Sequence, residues 1–349
     1  MDLSIAAILA QDGITSGAIY ALLALGLVLV FSVTRVIFIP IGEFVSYGAL
    51  TLAAIEAGKY PSTATLLVFL GGCTFAADLY GIARSSGERT GRAIAVSFVK
   101  FVLLPVALLV LARTLPLGSL PMFVQVVLSM AIVIPMGPMM YRLAFQPLAE
   151  ASVLVLLIVA VAVHFAMVGM GLLIFGAEGS RTATFTDARF DIGALSISGQ
   201  SLVIIGTSVV TMVALYFYFG RTLPGRALRA TAVNRLGARL VGIGTTQAGR
   251  LAFTLAPALG TLCGVLVAPL TTVYYDSGFL IGLKGFVSAI IGGLGSYPIA
   301  AVGALLVGLL ESYSSFWASA FKEVIVFTLI IPVLLWRSLV NPHADEGEE

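Results

Sequence analysis

Long stretches without a single charged side chain dominate the chain. Ile14 to Thr34, Thr114 to Tyr141, Ile192 to Gly220, Leu251 to Tyr275 and Gly285 to Leu310 are uncharged throughout, and Ala151 to Ala177 is interrupted only by His164. Each reaches the roughly 20 residues that cross a bilayer core as a helix. None alternates with period two as a membrane strand would. Because backbone polar groups in hydrocarbon must be satisfied internally, the pattern predicts helices. Hydropathy marks spans beginning near Ile14, Val36, Thr63, Ala93, Leu120, Val153, Leu202, Leu251, Leu283, Ile299 and Val324. The predicted fold is an all-α polytopic membrane protein with about eight to eleven transmembrane or re-entrant helices. It forms one domain over residues 1–349, with a polar C-terminal tail at 341–349.

Composition agrees with this reading. Of the 349 residues, 59% are hydrophobic and only 10% charged, and the mean hydropathy is +1.08. A soluble domain carries roughly a quarter charged residues, so water cannot solvate such a surface. The start lacks a basic n-region and leads straight into a full-length apolar run, which predicts that the first helix directs insertion and is retained. Cys73 and Cys263 fall in separate apolar stretches without metal-ligand spacing. The net charge of +2 comes without a basic stripe of the kind nucleic acid requires.

Charge distribution bears on orientation instead. If Arg221 to Arg250 is cytoplasmic, Arg35, Arg84, Arg89, Arg92, Lys100, Arg142 and Arg337 fall on the same side. That makes thirteen basic residues, against six on the other: Lys59, Arg113, Arg181, Arg189, Lys284 and Lys322. The asymmetry predicts an external N-terminus and a cytoplasmic C-terminus, or an internal N-terminus if one short span is re-entrant. The polar connection Glu178 to Gln200 then faces outward, and Asp78 to Arg92 inward.

The segment 221–250 carries six arginines and no Asp or Glu. Arg226 and Arg229, then Arg235 and Arg239, stand at helical spacing, with Ala230, Ala238, Leu240 and Val241 supplying small or apolar surface between them. Gly242 and Gly244 are placed to stop the second helix. Two readings fit: a solvated loop bound to lipid headgroups, or a docking element for a cytoplasmic partner.

Within the apolar spans, small residues recur at Gly13/Gly17, Gly260/Gly264 and Gly278/Gly282, which suits close helix packing. The run Gly292, Gly293, Leu294, Gly295 breaks a hydrophobic stretch and is either a cavity-lining break or an interhelical turn. Glu43 and Glu311 lie in or beside spans, where a central carboxylate costs roughly 2.5 to 3.5 kcal/mol to insert. Gly42, Glu43, Gly292, Gly293, Gly295 and Glu311 are therefore candidates for the translocation path. Structural alternatives are pairing of Glu43 with Arg35 and solvation of Glu311. His164 reads as a hydrogen-bonded packing histidine. No phosphate loop is present, since the only Gly-Lys pair is Gly58-Lys59 before Tyr60.

Several stretches resemble LivH-type permease subunits of branched-chain amino acid ABC importers. They are GAIYALLALGLVLVFSVTRVIFIPIGEF, GRALRATAVNRLGARLVGI, GLKGFVSAIIGGLGSYPIAAVGALLVGLLES and, more weakly, YRLAFQPLAEASVLVLLIV. The resemblance implies the ABC importer permease fold in the bacterial inner membrane. It also implies two cytoplasmic ATPase subunits that use the ATP, a second LivM-like permease subunit and a periplasmic binding protein, with no cofactor held by this chain. Gly225, Arg229, Ala230, Asn234, Ala238 and Gly242 fall at the family's coupling loop; Arg226 and Arg235 join them on charge. The family usually has Asn and His before its Gly-Glu-Phe, where this chain reads Phe38, Ile39, Pro40, Ile41, Gly42, Glu43. That departure leaves amides, urea or other small zwitterions open as cargo. Rival readings are an ion-coupled carrier with a relay through Glu43, Glu311 and His164, and a non-transporting membrane scaffold.

Overall fold

A computed structural model describes residues 3–84, 90–192 and 195–340. The tail 341–349 lies outside the described residues, as does part of the 78–92 connection. The principal helices are α1 Leu3–Thr34, α2 Ile41–Glu56, α3 Thr63–Arg84, α4 Gly91–Thr114, α5 Met122–Leu148, α6 Val153–Phe175 and α7 Gly199–Arg221. Two short helices follow, α8 Leu223–Val233 and α9 Arg235–Leu240. The remainder are α10 Thr245–Val267, α11 Ser277–Ile291, α12 Tyr297–Trp317 and α13 Ser319–Trp336.

Nine of these, among the described residues, are long and apolar enough to cross a membrane: α1, α3 to α7, α10, α12 and α13. With the shorter α2 and α11, the segments correspond to the spans expected from hydropathy. The protein is a multi-pass membrane protein.

Helix α1 is the axis of the bundle, packed by α7, α10, α11 and α12. It runs antiparallel to α12, with Gly13 set against Leu309 and Gly17 against Leu305. A Cβ on Gly308 would stand 2.3 Å from the carbonyl of Gly13, so only glycine allows the two backbones this close. In lipid there is little hydrophobic drive between helices, and such contact is what holds them.

The second span departs from a plain helix. α1 ends at Arg35, whose φ of 61° turns the chain back, and residues 36–38 are non-helical. Val36 and Phe38 in this stretch are buried, and Phe38 packs its ring 4.8 Å from that of Phe253. Helix α2 begins only at Ile41, within the bundle, and nearly every residue in it is buried. Non-helical backbone at this position is tolerated because protein, not lipid, surrounds it.

The structure adds detail to the hydropathy reading at three places. The uncharged run Gly285 to Leu310 is divided, as the span starts near Leu283 and Ile299 predict, by a turn with φ of 66° at Gly293 and 56° at Leu294 between α11 and α12. Lys284, counted among the basic residues of the outer side, is a buried residue of α11. The connection after α6 also holds a small antiparallel hairpin, β1 Arg189–Ile192 with β2 Leu195–Ser198.

Candidate functional site

The arginine-rich connection folds as two short helices beneath the bundle. Thr222 caps α8, its hydroxyl accepting from the Gly225 N–H at 3.1 Å, and Asn234 caps α9, its side-chain oxygen accepting from the Gly237 N–H at 2.7 Å. Gly225 sits where α8 leaves α7; a Cβ there would be 2.2 Å from the Tyr218 carbonyl. Gly242, with φ of 82°, ends α9, whereas Gly244 caps the start of α10 rather than stopping α9. Thus Gly225, Asn234 and Gly242 shape the loop.

Its arginines divide by role. Arg235 donates to the Ala149 carbonyl at 3.1 Å, Arg239 pairs with Glu150 and donates to the Thr245 hydroxyl, and Arg250 reaches Gln146 at 3.4 Å. These contacts fasten α9 and the start of α10 to the segment 146–150. Two sequence stretches separated by some ninety residues, |i−j| being 89 for the Arg239 pair, therefore form one surface. Arg226 donates to the Gly220 carbonyl, and Arg229 remains exposed on α8. Ala238 and Leu228 face inward, Ala230 is half-buried, and Leu223, Val233, Leu236, Leu240 and Val241 are exposed.

Inside the bundle, Gly42 and Glu43 lie in the first turn of α2. Gly42 meets Gly278 of α11 so closely that a Cβ on Gly278 would stand 2.0 Å from the Gly42 carbonyl. Glu43 is fully buried; its Oε1 lies 2.7 Å from Nδ1 of His164, and its Oε2 has no partner. Glu43 thus partners His164, not Arg35 as the sequence alternative had it. His164 is the expected hydrogen-bonded histidine, its ring 4.5 Å from that of Phe279. One turn further along, Ser46 donates to the Tyr274 carbonyl at 3.1 Å and accepts from the Gly278 N–H at 2.8 Å, tying α2 to α11.

Glu311 belongs to a different cluster. Its Oε1 pairs with Lys284 Nζ at 2.6 Å, its Oε2 accepts from the Tyr20 hydroxyl at 2.5 Å, and Lys284 also reaches Glu323 at 3.1 Å. Hydropathy could not reveal this because the partners come from four helices. Glu311 is therefore neither a lone intramembrane carboxylate nor part of a relay with Glu43. Gly292, Gly293 and Gly295 form the α11–α12 turn, the second of the two readings their sequence allowed.

A model of the family described as branched-chain amino acid transport system / permease component matches residues 9–334. The chain belongs to that family. This permease is 29% identical over 249 residues to the high-affinity branched-chain amino acid transport system permease protein BraD of Pseudomonas aeruginosa, covering 69% of this chain and 80% of that one. It is 31% identical over 201 residues to LivH of Escherichia coli K12, covering 56% and 65% of the two chains. It is 27% identical over 215 residues to a probable LivH of Methanocaldococcus jannaschii, covering 59% and 68%. No solved structure matches it. The permease is a transport subunit of an ABC importer, not an enzyme, and acts with other components of that system.

Proposed function

We propose that this permease carries branched-chain amino acids across a bacterial inner membrane, with α8 and α9 receiving two cytoplasmic ATPase subunits. A second permease subunit completes the path, and a binding protein delivers the solute from outside. The reading of the cargo is supported by the similarity to BraD and LivH, which are high-affinity branched-chain amino acid transport system permease proteins.

The observation that carries the docking role is the surface of α8 and α9. Exposed Leu223, Val233, Leu236, Leu240 and Val241 stand among arginines, with no acidic residue in the loop. A solvated loop has no need of five large apolar side chains at its surface, whereas a protein partner buries them. Arg235 and Arg239 join this surface to residues 146–150, so a push on α9 is passed to the end of α5 and the start of α10. Residues in contact with solute include, on this reading, Gly42 and Glu43 at the start of α2. Closure of the ATPases would rock the helices around them between outward and inward access.

The test is uptake of radiolabelled leucine by proteoliposomes holding this chain with the neighbouring permease, ATPases and binding protein. ATP-dependent uptake that collapses in Arg229→Glu, with assembly intact, is the expected result. Uptake by this chain alone without ATP overturns the proposal in favour of an ion-coupled carrier. Solute-stimulated ATP hydrolysis with urea or an amide, and none with leucine, overturns the cargo and keeps the machine.

A further inference from the structure

A cavity of about 690 Å³ opens between α1, α7, α10 and α12. Leu25 and Leu29 of α1, Leu215 and Phe219 of α7, Leu259 of α10 and Ala301 of α12 form its walls. No Asp or Glu lines it. At one end stand Arg221, the last residue of α7, Arg229 of α8 and Tyr297, the first residue of α12. The cavity therefore has an apolar body and a cationic mouth, placed at the level of the arginine-rich loop.

Neither arginine of the mouth makes an ion pair among the described residues, whereas Arg142 and Arg239 elsewhere on this face each hold a carboxylate. Arg221 lies 5.0 Å over the ring of Phe217, an arrangement that fixes its charge without neutralising it. Tyr216 and Phe217 on the neighbouring turn of α7 are exposed, on a helix long and apolar enough to cross a membrane. Lining residues on α7 run from Met212 to Arg221, nine residues apart, which sets a depth of roughly 13 Å along the helix.

We propose that this cavity is a lipid site. It takes one acyl chain of an anionic glycerophospholipid from the cytoplasmic leaflet, with the phosphate resting between Arg221 and Arg229. Charge and shape both select that occupant. Two unpaired guanidinium groups favour an anion, and the apolar walls favour a hydrocarbon tail attached to it. A zwitterionic amino acid fits less well, because its ammonium group would enter a cavity without a carboxylate to receive it. The site goes beyond the transport function: Arg229 sits on the proposed docking helix, so a bound lipid would tie the membrane to that helix directly.

Native mass spectrometry of the full chain in detergent, titrated with phosphatidylglycerol and separately with phosphatidylcholine, tests the site. A basic residue near an anionic headgroup contributes roughly five-fold, so two give a preference of roughly 30-fold for phosphatidylglycerol at low salt. Arg221→Gln is expected to lower that preference to roughly five-fold, and Arg221→Gln with Arg229→Gln to abolish it. Leu215→Phe and Ala301→Trp fill the body of the cavity and should weaken both lipids together; the first lies on a partly exposed helix and keeps the test open if the second fails to fold. Equal binding of the two lipids, or a preference untouched by the double variant, overturns the proposal. So does displacement of phosphatidylglycerol by millimolar leucine, which would make the cavity a solute site.

Discussion

Glu43 and His164, 121 residues apart in sequence, meet at 2.7 Å in the interior of the bundle. Their hydrogen bond needs at least one proton on the pair, and it joins the first turn of the buried α2 to the middle of α6. His164→Leu leaves both carboxylate oxygens of Glu43 without partners. Such a loss costs about 1–3 kcal/mol, more when the stranded group is charged. Thermal unfolding in detergent is expected to move to lower temperature in His164→Leu, and less so in Glu43→Gln, whose amide retains a bond to the ring.

The contact of Gly42 with Gly278 admits no side chain. Gly278→Leu should prevent α2 from seating against α11 and abolish a monodisperse peak in size-exclusion chromatography. Gly206→Ala, at a position with nothing within 4 Å of the added carbon, should leave that peak unchanged. Equal behaviour of the two variants would contradict the packing described.

The buried Lys284 bridges the carboxylates of Glu311 and the partly exposed Glu323. Removing one partner of a buried ion pair typically costs about 3–5 kcal/mol, because the remaining charge is uncompensated. Lys284→Met should therefore be strongly destabilised, and Lys284→Met with Glu311→Gln less so than the single changes add up to. A thermal double-mutant cycle measures that coupling, expected at about 0.5–3 kcal/mol. Strict additivity would remove the cluster from the account of stability.

Asn234 is the cap of α9, a role for which Asp can substitute and Ala cannot. Asn234→Ala should lower the local stability of this short helix by about 1 kcal/mol. Hydrogen exchange of the amides in 235–240 should then speed up roughly five-fold, with leucine uptake per ATP falling in parallel. Asn234→Asp should restore both.

Arg239, through its hydrogen bond and then its charge, holds the Glu150 carboxyl below its ordinary value of 4.5. A depressed value means the link is complete above that range and is lost as pH falls through the lower, folded value. Exchange protection of α9 should thus be flat from about pH 8 to about pH 6, since exposed pairs of this kind contribute little and titrate only in acid. A marked loss near neutrality would point to another group.

Membrane residence, helical class, the number of apolar segments and the arginine-rich connection of short helices were legible in the chain itself. Each depends on local quantities: the length of an uncharged run, the backbone's need for internal hydrogen bonds, and the spacing of arginines around capping residues such as Asn234 and Gly242. The glycine pairs were legible as packing faces, though not their partners. Only the tertiary structure joined Glu43 to His164, gathered Tyr20, Lys284, Glu311 and Glu323, and placed Arg221 and Arg229 at the mouth of an apolar cavity. Those relationships arise where helices distant in sequence cross, and neither hydropathy nor spacing along the chain records which helices become neighbours. Burial then decides what each polar residue must do, because in a bundle surrounded by lipid a charged group is accommodated by the partners that packing brings to it.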